Sequence, residues 1–313
     1  MDEPVHTGAF FAFMQEREAI RLRKEADRIA LANGEFPQGP PWTKDSILRE
    51  FKFTNVRRFH DWTTTKLREN FYGPMHGEDP RDILMNCALA RYFGTFEFME
   101  AVGWQTYDDF DFDEIIDTAE RRLASRQRVF TGAYVITNQG ISAPKQEVVG
   151  NYFLKDLHEA VPELLDIVQM TRSWRKLAER MSRIKGFGGT GFMTKEILLD
   201  TMMTGFWRDA IQTYFEDYPV SYPSDYSEWT PIGPGGLRGA ARLLGHEWPE
   251  HNTISPAKAQ EVIMTLVGVQ ENYWPSEFGH LYPTDVQFQL CEFDKYERVR
   301  LGQGRPRSRY KPR

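Results

Sequence analysis

Gly186, Gly188 and Gly191 stand in the stretch "IKGFGGTGF" at the spacing G-x-G-x-x-G. That spacing cradles a dinucleotide pyrophosphate only where a buried strand enters the loop and a helix leaves it. Here Leu177, Met181 and Ile184 recur at helical intervals before the glycines, and Phe192, Ile197, Leu199, Met203 and Phe206 keep a helical face after them. The glycines therefore join helix to helix. Such a turn brings backbone N–H groups and the positive end of the second helix toward an anion of phosphate size. The competing reading is an ordinary helix–helix corner whose glycines only supply positive φ.

A hairpin of this kind resembles the one with which helix-hairpin-helix DNA glycosylases grip a DNA backbone, and there an Asp some twenty or more residues later enters the pocket for a flipped base. Lys185, Gly186, Phe187, Gly188, Gly189 and Gly191 are then the DNA-contacting residues. Asp225, in "SDYSEW", is the candidate acid, with Asp217 as second choice; either could instead cap a turn. Further on, "PIGPGGLRG" combines Gly233, Gly235 and Gly236 with Arg238, read either as a flexible anion-holding loop or as a connector whose arginine forms a surface ion pair. Asn55, Arg57 and Arg58 sit together, and Arg17 with Arg21 shares a helix face, which suits bidentate phosphate recognition or solvent-facing ion pairs. Cys291, in "QLCEFDKYERV", is a small core residue or a nucleophile. Asp294, Lys295 and Arg298 make its segment unusually charged for a core helix.

The elements expected to position these residues are helices. A first one spans Ala9 to Asn33, ended by the prolines of "GEFPQGPPW"; "FKFTNVRRFHDWTTTKLREN" is expected to be helical with Arg57 and Arg58 near its start. "RDILMNCALARYFGTFEFMEAVG", "DEIIDTAERRLASRQ" and "VGNYFLKDLHEAVPELLDIVQ" read as further helices. "VFTGAYVITNQGIS" is the one stretch with strand character, and the chain after about Phe215 reads as an irregular functional loop. Ser255 as N-cap with Pro256 at the first helical position opens a late helix, and "TDVQFQLCEFDKYERVR" forms the last. The expectation is an all-α protein with at most a small β element. It forms a single helical unit, divided if at all into lobes of about 1–150 and 151–290, before a basic tail.

The 313 residues are 41% hydrophobic, enough for a large core. A net charge of −6 argues against indiscriminate polyanion binding, but residues 295–313 carry eight Lys or Arg against one Glu. That tail, with Arg305 and Arg307, is a phosphate-contacting arm or a solvated terminus. Cys87 and Cys291 are far apart, giving neither a disulfide framework nor zinc spacing, and the histidines form no H-x-x-x-H pair, so no metal ligand set is expected. No run of about eighteen apolar residues occurs, and a soluble, intracellular protein is expected. No G-x-x-x-x-G-K-[ST] motif exists in the sequence, which disfavours a self-contained ATP-dependent kinase.

Taken together, "PPWTKDSILREFKFTNVRRFHDW", "VFTGAYVITNQG", "IKGFGGTGFMTKEI", "DYSEWTPIGPGGLRGAARL" and "LCEFDKYERVRLGQGRPR" resemble the signature blocks of the phage amino acid:DNA transferases. These were first described as α-glutamyl/putrescinyl thymine pyrophosphorylases, and are related to the helical domain of 5-hydroxymethyluracil DNA kinases. The blocks run from about residue 10 to the C-terminus. The resemblance implies the helix-hairpin-helix glycosylase fold and thymidine hypermodification in a bacteriophage. A phosphate or pyrophosphate on the C5 methylene of 5-hydroxymethyl-deoxyuridine is replaced by the amine of an amino acid, glycine first, or of a polyamine. It implies double-stranded DNA carrying the modified pyrimidine as substrate, an upstream 5-hydroxymethyl-deoxyuridine kinase as partner, the host cytoplasm as location and no membrane. No cofactor is required, and a monovalent or divalent cation at the hairpin is an optional addition.

On that reading Asn55, Arg57, Arg58, Lys295 and Arg238 hold the leaving phosphate. Asp225 takes the amine's proton or positions the amine, and Cys291 could add to C6 of the ring. Two alternatives remain open: a glycosylase or lyase acting on a modified base, and a non-catalytic DNA-binding partner of the kinase.

Overall fold

The computed structural model describes residues 2–73, 79–132, 136–188, 191–207, 211–215, 218–247, 254–306 and 308–310. Gly189, Arg307 and Asp217, named above, lie outside the described residues, as do 133–135 of the expected strand. The helices are α1 (Thr7–Ala32), α2 (Ser46–Glu50), α3 (Trp62–Leu67), α4 (Pro80–Phe93), α5 (Phe96–Val102), α6 (Phe112–Ala124) and α7 (Lys145–Glu147). A wider turn over Val148–Leu154 leads into α8 (Lys155–Thr171), followed by α9 (Trp174–Met181) and α10 (Phe192–Thr201). An antiparallel hairpin, β1 (Ile211–Phe215) and β2 (Tyr218–Tyr222), pairs Thr213 with Val220. Then come α11 (Pro234–Leu243), α12 (Pro256–Gly268) and α13 (Pro283–Arg300). The fold is all-α with one small β element.

That β element is not where β-formers cluster in the sequence. The described residues around "VFTG" and "TNQGIS" form no strand, and the hairpin lies instead at 211–222, its second strand within the stretch expected to be irregular.

The chain divides into two compact units, Met1–Asp61 with Ile232–Arg313, and Trp62–Pro231. This corrects the linear lobes expected at 1–150 and 151–290, because the first unit is assembled from both ends of the chain. Its core joins Phe10, Phe13 and Met14 of α1 to Ala240 and Leu243 of α11, Val262 and Ile263 of α12, and Val286, Leu290 and Phe293 of α13. Phe293 meets Phe10 edge-on at 5.5 Å. The apolar period of α1 and the Ser255 cap of α12, whose side chain accepts from the Lys258 N–H, match the sequence expectation.

Two segments depart from it. Residues 51–57 form no helix; Arg58–His60 makes one short turn, and helix resumes at Trp62–Leu67 and continues as a wider turn over Arg68–Tyr72. The carbonyls of Phe53 and Thr54, which a helix would consume, accept instead from the Arg17 guanidinium of α1. More consequentially, "PGGLRGAARL" is not a loop but helix α11. Its glycines let α11 lie against α13 backbone to backbone. A Cβ on Gly239 would fall 2.1 Å from the Leu290 carbonyl oxygen, and one on Gly235 would fall 2.9 Å from the Cys291 sulfur. Close packing over-rides the poor helix propensity of glycine, which costs about 1 kcal/mol relative to alanine.

In the second unit α4 is buried on every side from Asp82 to Phe93, and α10 from Thr194 to Thr201. A helix surrounded in this way belongs to a core. The α9–turn–α10 hairpin therefore stands on a rigid base.

Candidate functional site

The hairpin glycines serve the turn first. Gly186 has φ +94°, and a Cβ there would lie 2.4 Å from the Phe153 ring; Gly191 has φ +70° and caps α10. At Gly188 a Cβ would lie 2.6 Å from the Ser182 carbonyl oxygen. The Phe187 ring is fully buried, edge-on to Tyr92 at 5.2 Å, so of the residues expected to contact DNA this one turns its side chain into the core. Tyr92 donates its hydroxyl to the Gly186 carbonyl, and Thr194 donates to that of Phe187. Lys185 is exposed, and Gly188 and Gly191 are half-buried, so a cation and glycine backbone remain at the surface.

Asp225 is bound to the foot of this hairpin. Its carboxylate accepts from the Ser173 hydroxyl and from the backbone N–H of Trp174, at 2.9 Å, and of Arg175, at 3.2 Å. Those are the unsatisfied donors of the first turn of α9, and a carboxylate there complements the helix dipole. Of the two readings of Asp225, the capping one describes its contacts.

Beneath α10 lies a polar network that sequence reasoning missed. The Asp200 carboxylate, fully buried, receives the Arg91 guanidinium, with Nε at 2.6 Å, and the Tyr72 hydroxyl at 2.6 Å. Arg91 also donates to Thr64, and the buried Glu196 lies 4.0 Å from it, with buried Lys195 beside Glu196. Burial pushes the Asp200 carboxyl up while Arg91 pulls it back, and burial pushes the Cys87 thiol and Tyr72 hydroxyl well up. The signal was present in "FMTKEILLDT": acids and a lysine within a segment too apolar to have a solvent face.

In the first unit, four of the five residues read as phosphate ligands brace the extended segment. Arg57, 4% exposed, donates to the carbonyls of Phe278 and His280 at 2.6 and 3.1 Å. Arg58 pairs with Asp61 and lies over the Phe288 ring. Asn55 donates its side-chain amide to the His60 carbonyl and its backbone N–H to Asp61. Lys295 pairs with Glu292 at 2.6 Å and donates to the Lys52 carbonyl. Arg305 is exposed, and beyond it Ser308 and Tyr310 pair with residues 50–52.

Near Arg57, burial pushes the Asp285 carboxyl up to about 6, against the pull of that guanidinium. A carboxyl raised from its unfolded value of 3.8 favours the folded state below that value and loses the benefit as pH rises through 6. Asp285→Asn should therefore remove roughly 3 kcal/mol of pH dependence between pH 4 and 7. Denaturant midpoints of the two proteins across that range check it; parallel curves would contradict it.

The arginines of α11 meet a different partner. Asp294 of α13, fully buried, is reached by Arg238 Nε at 3.1 Å, Arg242 Nη2 at 3.1 Å and Arg298 Nε at 3.3 Å. Three guanidiniums against one carboxylate leave a net charge of +2. The nearby acids Glu292 and Glu297 pair with Lys295 and Arg300. Arg242 is buried and also bonds Gln303, whereas the Arg238 and Arg298 side chains are 30% and 31% exposed. Cys291, one turn before Asp294, is half-buried against Gly235, and its sulfur accepts from Gln287. The glycines let the two helices approach, Asp294 orients the guanidiniums, and two remain open to an anion. Such preorganised charge-assisted donors suit a phosphate oxygen. Sequence reasoning named Arg238 and Cys291, singled out Arg298 and Asp294 only as unusual charge in a core helix, and missed Arg242.

The family model for the helical domain of 5-hydroxymethyl-deoxyuridine (5-hmdU) DNA kinase matches residues 5–305. The chain belongs to this family. Among curated proteins it is similar to the 5-hmdU DNA kinase of Bacillus phage SP10, 24% identical over 220 residues. The match covers 64% of this chain and 31% of that protein, so the chain spans about a third of the relative's length. No solved structure matches the chain. Among the described residues, no helix of this family member is long and apolar enough to cross a membrane.

Proposed function

We propose that the chain takes part in phage 5-hmdU DNA modification as an amino acid:DNA transferase. Its substrate is 5-hmdU already phosphorylated or pyrophosphorylated in double-stranded DNA, and its second substrate is a small amine, glycine being the first to test. The amine nitrogen forms a bond to the C5 methylene, the C–O bond breaks with its electron pair leaving on the phosphate, and the amine's extra proton passes to solvent. The phosphorylation that precedes transfer is assigned to an upstream 5-hmdU kinase as partner.

The observation that carries this reading is the pair of half-exposed guanidiniums, Arg238 and Arg298, set on one buried carboxylate in a chain of the 5-hmdU kinase helical-domain family. Departure of a phosphate needs positive charge fixed where the negative charge develops. The hairpin, with Lys185 and the Gly188 backbone at its surface, is assigned to the DNA strand in the manner of glycosylase hairpins. Asp225 keeps that hairpin seated through its hold on α9.

Incubation of phosphorylated 5-hmdU DNA with labelled glycine or putrescine tests the reading. Label retained in the DNA supports transfer. Abasic sites without label would establish a glycosylase or lyase instead, and unchanged DNA that is nevertheless bound would leave only the non-catalytic role.

A further inference from the structure

The second unit carries a groove of about 480 Å³ that none of the roles above uses, within the range of about 300–1,000 Å³ typical of ligand sites. On one side α3 and the turn after it present Trp62, Lys66 and Asn70, one helical turn apart. On the other, α5 presents Glu97 and Glu100, with Trp104 just beyond it. Trp62 is 49% exposed, and Trp104 is half-buried with its ring 5.3 Å from that of Phe71. Large rings left open to water in a concave surface mark a place of contact.

The polar groups of the groove are open as well. Lys66 is half-buried, Glu97 and Glu100 are exposed, and among the described residues none of these three side chains has an ion pair or a hydrogen bond. The Asn70 amide donates to the Lys66 carbonyl, and its oxygen has no partner among the described residues. Residues 96–120 hold nine Asp or Glu and no Lys or Arg, and Asp109, Asp113 and Asp117 within them are exposed and unpaired among the described residues. Helix α6, which carries the last two, packs on α5. A surface of this sign repels a phosphate backbone. An alkyl diamine would satisfy the acids and the rings but offers Lys66 no acceptor. A peptide carries both: a basic side chain for α5 and Trp62, a backbone carbonyl for Lys66 and an N–H for Asn70.

We infer that this groove docks an arginine-bearing segment of a separate protein. A guanidinium lies flat on the Trp62 ring while its fork meets Glu97 or Glu100, a combination that a compact ammonium does not offer. Ion pairs this exposed add little affinity and chiefly decide which partner is accepted, so the ring carries most of the binding. The docking is independent of the transfer reading, because it holds a partner beside whichever chemistry the chain performs.

Fluorescence anisotropy of a labelled, end-capped Gly-Arg-Gly-Arg-Gly peptide with the full chain tests this, beside the same peptide carrying Gln in place of Arg. Saturable binding of the Arg peptide is expected, with about tenfold loss for the Gln peptide and for Trp62→Ala. The Glu97→Gln, Glu100→Gln double variant should lose severalfold and show a weaker dependence on salt. Thermal midpoints should stay unchanged, because all three side chains are exposed. No saturable binding, equal binding of the Gln peptide, or undiminished binding by Trp62→Ala overturns the docking. Displacement of the peptide by equal concentrations of glycine or putrescine would give the groove to a small amine, and displacement by an oligothymidylate would give it to a DNA strand; either overturns it too. So does self-association of the full chain that Trp62→Ala abolishes, which would make the occupant a second copy.

Discussion

Arg238→Ala and Arg298→Ala should each lower the turnover of amine incorporation by about 10²–10³-fold, the loss seen when one preorganised donor is removed from a developing anion. Each side chain is about 30% exposed and tied to Asp294 through one nitrogen, so the denaturant midpoint should move little. Arg238→Lys should recover part of the activity, because it restores charge without the planar fork. The effect should fall on kcat more than on KM if the contact strengthens as the phosphate departs. Initial rates on phosphorylated 5-hmdU DNA decide the matter. Retained turnover in both alanine variants would remove the phosphate role from these arginines.

Asp200→Asn should cost the second unit about 3–5 kcal/mol, the usual penalty for breaking a buried ion pair from one side. It strands the Arg91 guanidinium, 3% exposed, among Tyr72, Thr64 and Glu196 with no full counter-charge. Hydrogen exchange should show the loss as faster exchange in α4 and α10 together. Replacing both partners with apolar residues, Arg91→Met with Asp200→Leu, should recover much of the stability, since the pair's desolvation penalty disappears with it. A loss below about 1 kcal/mol in Asp200→Asn would mean that the network contributes nothing of its own.

What the sequence disclosed follows from which interactions are local. Helix α12 was legible because Ser255 and Pro256 announce its start and its apolar residues keep one period. The turn between α9 and α10 was legible because two of its glycines take positive φ, which other residues rarely adopt. Helix α11 was not. Its glycines read as a loop, and their reason lies in the backbone of Leu290, some fifty residues away. Asn55, Arg57 and Arg58 carried the right chemistry for phosphate but are occupied by carbonyls and an acid of their own unit. The α11–α13 seam escaped in part because Arg298 reads as one charge among many in "KYERVR". Only the helix pairing brings it to the carboxylate that Arg238 and Arg242 share.

Mass spectrometry of nucleosides digested from phosphorylated 5-hmdU DNA, after incubation with the chain and candidate amines, addresses the central claim most directly. The account predicts a nucleoside whose C5 methylene carries the amine in place of the phosphate, formed by the native protein and lost in Arg238→Ala. Recovery of only the phosphorylated nucleoside with every amine tried, or the same adduct in equal yield from Arg238→Ala, would contradict it.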